Sequence, residues 1–148
     1  MPNRGAIRRI LIATAIAGAL DIGAAMILSV ANGGTVAGML RSVASGPFPS
    51  AREWGAAGAA LGLATHFVLM AVMATAFVLA ADRIVSLRRQ PLLWGALYGV
   101  GLWMVMYFLV LPMRFGAALP HEPGAIAIQL FCHIVLVGLP IALVARRA

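Results

Sequence analysis

Charge is scarce in this chain. Only 10% of its 148 residues are charged, four are acidic, and all eleven cations are arginine, with no lysine. A soluble domain is about 25% charged, and a chain that is 63% hydrophobic lacks the polar groups to cover a soluble surface. Cysteine is scarcer still: Cys132 stands alone, so there is no internal disulfide and no C-x-x-C metal spacing. The sequence also lacks H-E-x-x-H, a glycine-rich phosphate loop, and a serine nucleophile with its base, so no catalytic residue is expected. No internal repeat is present, which argues against an inverted-repeat transporter.

Long uncharged runs are what the chain does have. Ile10 to Leu40 carries one charge, Asp21; Trp54 to Ala81, Gln90 to Met113 and Pro123 to Ala145 carry none. Each exceeds the roughly 20 residues a helix needs to cross about 30 Å of hydrocarbon. Transmembrane strands would alternate apolar and polar residues instead. The expectation is an all-α membrane protein, a four-helix transmembrane bundle forming one domain over residues 1–148, with spans at about 10–31, 57–81, 91–112 and 124–145. A cleaved signal peptide is not expected, because the first apolar run continues well past Ala17-Gly18-Ala19.

Arginine placement predicts orientation. Arg4, Arg8, Arg9, Arg83, Arg88, Arg89, Arg146 and Arg147 fall on one side, and Arg41, Arg52 and Arg114 on the other. The positive-inside rule puts both termini in the cytoplasm. Dispersed at membrane edges, these cations suit anionic lipid headgroups at the cytoplasmic face rather than nucleic acid. Arginine, alanine and glycine usage points to a bacterial inner membrane.

The first outer loop, 32–55, contains Val36, Met39, Leu40 and Val43 at helical spacing, which predicts a short interfacial helix ended by "SGPFPS". The second, Met113 to Gly124, holds Arg114, His121 and Glu122. Gly58 and Gly62, and Gly95 and Gly99, have the four-residue spacing that lets helix backbones approach closely. Pro140 lacks an N–H and predicts a kink in span 4.

At 1.5 Å per residue, Asp21, His66 and His133 each lie roughly 14–15 Å from the outer end of their span. Three ionisable groups from three helices thus share one level, with Trp103 at similar depth and Tyr107 one turn outward. Residues four apart share a face: His66 continues the line of Gly58 and Gly62, Gln129 pairs with His133, and Gly95, Gly99, Trp103 and Tyr107 form a stripe. A carboxyl at mid-span faces the bundle interior and takes a partner, and His66 and His133 are the candidates. The cluster Asp21, His66, His133, Gln129, Tyr107 and Trp103 then reads as helix–helix glue or as a small ion or proton site. No cofactor is expected. The alternative is a b-type haem held by His66 and His133. A second alternative is an accessory subunit docking on a membrane-protein partner or on a second copy.

"ATHFVLMAVMATAFVLAADR", "PLLWGALYGVGLWMVMYFLVLP" and "LFCHIVLVGLPIAL" resemble the corresponding segments of YagU-like small bacterial inner-membrane proteins over residues 60–145. The positions that carry the likeness are His66, Gly95, Pro112 and His133, while the first loop is shorter here. The resemblance implies a multi-pass inner-membrane protein and no assigned activity.

Overall fold

A chain rich in apolar residues with few polar partners satisfies its backbone best within helices. The computed structural model describes residues 4–116 and 122–147, and these form helices with no strand among them. His121 lies outside the described residues. Four helices are long and apolar enough to cross a membrane: span 1 (Arg4–Ala31), span 2 (Gly55–Arg83), span 3 (Pro91–Phe115) and span 4 (Pro123–Ala145). Span 1 starts six residues before its uncharged run. The added turn places Ala6, 1% exposed, in the core and brings Arg9 onto its neighbours.

Between spans 1 and 2 lies the cap helix, Val36–Ala44. Thr35 is its N-cap: the hydroxyl accepts a 3.0 Å bond from the Gly38 N–H, one of the donors a helix start leaves unsatisfied. The cap helix packs on the first turns of span 2. A Cβ at Gly62 would collide with the Leu40 carbonyl, and one at Gly58 with the Ala51 carbonyl. Gly58 and Gly62 therefore admit the cap helix and the turn after it, not another span.

Span 1 contacts span 2, span 4 and the cap helix; span 3 packs along span 4. Here too glycine sets the approach. A Cβ at Gly95 would lie 2.9 Å from Ala142 Cβ and 3.0 Å from the Gly138 carbonyl, and one at Gly99 would meet the His133 carbonyl.

Spans 3 and 4 share a second feature. Val105–Val110 and Cys132–Gly138 are π-helical, and each segment ends two residues before a proline, Pro112 and Pro140. A proline ring has no N–H and crowds the carbonyl four residues back. Widening the preceding turn relieves that clash and leaves carbonyls available to side chains. At Pro140, where a kink is expected, the chain forms this π segment.

The half of the bundle near the chain ends is tightly closed. Ala13 and Ala17 of span 1, Ala74 and Val78 of span 2, and Ile141 and Ala142 of span 4 are fully buried together. Arg9 ties three spans there. It forms 2.8 and 2.9 Å contacts with the two Asp82 oxygens and donates 3.1 Å to the Ala145 carbonyl. Charge-assisted bonds contribute about 1.5–3 kcal/mol when partly shielded from water. Arg9→Ala is expected to destabilise the bundle by about that amount, read from denaturant unfolding in detergent, and a loss below ~0.5 kcal/mol would show the clamp is solvated.

Candidate functional site: a polar chamber at mid-span

Toward the cap helix the packing loosens into a cavity of about 590 Å³. Asp21 and Ser29 of span 1, Asn32 just after it, His66 of span 2, Tyr107 of span 3, and Gln129 and His133 of span 4 line it among many apolar side chains. Met39 and Val43 of the cap helix line it as well. From Asp21 to the exposed Asn32 is roughly 16 Å along the helix. The chamber therefore runs from mid-span to the cap end, with the alanine-rich core beyond its other end.

His66 is 7% exposed and is held from span 1. Its Nε2 lies 3.1 Å from the Gly18 carbonyl. A carbonyl only accepts, so Nε2 carries a proton. Phe67, stacked edge-on at 5.5 Å, packs against Gly18, where a Cβ would come within 2.6 Å of its ring. The second imidazole nitrogen, Nδ1, faces Asp21 Oδ2 at 4.0 Å. That separation is beyond a hydrogen bond and at the limit of an ion pair.

The chemistry follows from the tautomer. With Nε2–H committed to Gly18, a neutral His66 turns a lone pair toward Asp21, and a carboxylate there would be repelled. The pair is favourable when a proton lies between them, either on Nδ1 or on the carboxyl.

His133 belongs to a π segment, and its Nδ1 donates 2.8 Å to the Gln129 carbonyl one turn back. Its Nε2 has no protein partner among the described residues. Tyr107 packs edge-on to His133 at 6.3 Å, and Trp103 stacks on Tyr107 at 5.5 Å. Trp103 itself does not line the chamber, and its buried Nε1 lacks an acceptor among the described residues. The structure therefore brings Asp21, His66, His133, Gln129 and Tyr107 to one cavity and leaves Trp103 behind it. Gly99 positions the site indirectly, by seating span 3 against the His133 backbone.

Sequence reasoning missed Ser29 and Asn32, which extend the polar wall to the cap end, and Cys132, also in the lining. The signal was available: Asp21, Ser29 and Asn32 share one face at eight- and three-residue spacings. No group of three or more metal-ligating side chains occurs among the described residues. Compared with family models, curated proteins and solved structures, the chain matches none of them.

Proposed function

We propose that this chain is a multi-pass protein of the bacterial inner membrane, with both termini cytoplasmic, whose chamber is a proton-binding site reached from the outer side. The carrying observation is the 4.0 Å separation of His66 and Asp21 on the wall of a 590 Å³ cavity. Helix–helix glue works by direct hydrogen bonds in a close-packed interface. Here the pair makes no direct hydrogen bond and opens on a cavity large enough to hold water.

In this reading the chamber is a half-channel. Water enters by Asn32 and Ser29, and the proton is exchanged at Asp21–His66. The cap helix lies at the outer membrane interface, and the eight inner arginines meet anionic headgroups. The likeness to YagU-like proteins is part of the same proposal, since His66 and His133 both line the chamber. Haem is less well supported: Nε2 of His66 is committed to Gly18 and Nδ1 faces Asp21, so ligation through either nitrogen would sacrifice a contact. The accessory-subunit reading draws on exposed apolar faces, which lipid covers equally well.

Two labelling results test this. In a Cys132→Ser background, Ser29→Cys and Asp21→Cys are expected to react with a small membrane-impermeant thiol reagent from the outer face, whereas Ala17→Cys, one turn into the core, stays unreactive. Reaction at all three sites, or at none, contradicts a half-channel. Labelling of Ser29→Cys only from the cytoplasmic face reverses the orientation.

A further inference from the structure

Beside the chamber lies a second concavity, an apolar cleft of about 1290 Å³ between spans 2 and 3. Ala64 and Val68 of span 2 face Leu109 and Val110 of span 3 across it, and Val68 is 63% exposed. Toward the chain ends the same two spans are held together: Tyr98 Oη donates 2.9 Å to the Met73 carbonyl, and the Tyr98 and Phe77 rings lie 5.0 Å apart. Toward the cap helix they part. Six residues wall both spaces, Ala25, Met39, Val43, Leu69, Met106 and Leu111. The chamber is therefore bounded on this side by one thin layer of side chains.

At the cap end of the cleft stand two cations. Arg114 donates from Nη2 to the Ser45 carbonyl at 2.8 Å and from Nε to the Gly46 carbonyl; Arg52 donates from Nε to Ser45 Oγ at 3.2 Å. Their guanidinium carbons lie 5.5 and 6.0 Å from the Phe115 ring centre. Each guanidinium has five N–H donors, so most remain unused among the described residues. Neither forms an ion pair there, Glu53 included. Two like charges share one aromatic ring with no ion-pair partner among the described residues, above an apolar slot that leads into the bundle.

We infer that this cleft binds one anionic phospholipid, with its phosphate on Arg52 and Arg114 and an acyl chain between spans 2 and 3. The charge fixes the headgroup class, and planar guanidinium groups suit phosphate oxygens. The apolar walls fix the tail. The bound chain backs the thin wall of the chamber. The inference requires only that the spans cross a bilayer. It stands or falls independently of the proton site.

The test is lipid retention. The full chain is reconstituted in bilayers of equal parts phosphatidylglycerol and phosphatidylcholine, extracted gently, and weighed intact with its bound lipid. One phosphatidylglycerol is expected to remain in preference to phosphatidylcholine. Each arginine near a lipid surface is worth about fivefold in affinity, so Arg52→Gln should cut the preference by about fivefold and the double variant with Arg114→Gln further. Ala64→Trp, a change at an exposed position that fills the slot, should remove the retained lipid. Leu61→Trp fills it one turn nearer the mouth and gives a second reading if Ala64→Trp folds poorly. Equal retention of the two lipids overturns the inference. Preference for phosphatidylglycerol that survives both tryptophans also overturns it, because the arginines would then hold a headgroup without a tail in the cleft.

Discussion

Asp21→Leu is expected to lower stability by about 1–3 kcal/mol, with Asp21→Asn close to wild type. Two effects oppose each other here. On translocon scales Leu is favoured over Asp at a span centre by about 3–4 kcal/mol, but that scale refers to a side chain facing lipid. Asp21 lines a cavity inside the bundle rather than facing lipid, so most of that gain is not realised. What remains is the loss: Leu removes the carboxyl that faces His66 Nδ1 and puts an apolar group into the cavity that Gln129, Tyr107 and His133 also line. Asn keeps an oxygen for water and for His66, though it cannot titrate. Denaturant unfolding of the three proteins in one detergent measures the order. Coupling in the Asp21→Leu, His66→Leu cycle should reach at least about 0.5 kcal/mol. An Asp21→Leu protein as stable as wild type, with strict additivity, would show that the two groups do not sense each other.

Gly99→Leu is expected to be at least as damaging, at the upper end of the roughly 1–3 kcal/mol typical of overpacking. The atoms that would meet the new Cβ are the His133 carbonyl and Ile134 Cα, both main chain, so no rotamer change relieves the clash. Spans 3 and 4 must separate, and Gly138, which faces Gly99 from the other side, has nothing left to yield. Because the displaced backbone is that of His133, the variant should also disturb the chamber. Gly101, with open space around its Cβ position, is the control, and Gly101→Leu should cost little. Equal stability of the two leucine variants would mean that the span 3–span 4 contact is not close.

What the sequence made legible was mainly whatever depends on one helix at a time. Uncharged runs located the spans, since apolar length is a local property. Equal depth of Asp21, His66 and His133 followed from counting 1.5 Å per residue along each helix. Features that depend on which helix neighbours which were not legible. Gly58 and Gly62 have the same spacing whether a span or a cap helix lies on them, and only the fold shows that Leu40 does. Arg9 read only as one of the membrane-edge cations, because its pairing with Asp82 across 73 positions has no local signature. The π segments left a trace, prolines inside spans 3 and 4. Yet a proline signals a disturbed ladder without saying whether it kinks or widens. Trp103 stacks on Tyr107, as regular spacing places it, but does not itself line the chamber, which no spacing rule shows.

Infrared titration of the carboxyl groups tests the central claim most directly. The side chains supply only four, Asp21, Glu53, Asp82 and Glu122, so a protonated-carboxyl band can be assigned by substitution. The purified protein in lipid is stepped through pH in ordinary and heavy water. A proton shared by Asp21 and His66 in a watered chamber predicts a carboxyl band that titrates, shifts rapidly on exchange into heavy water, disappears in Asp21→Asn and moves in pH when His66 is replaced by Gln. Bands that are the same in wild type and Asp21→Asn, or an Asp21 band that resists exchange and ignores His66, would contradict the proton site and leave Asp21 as a packed polar contact between helices.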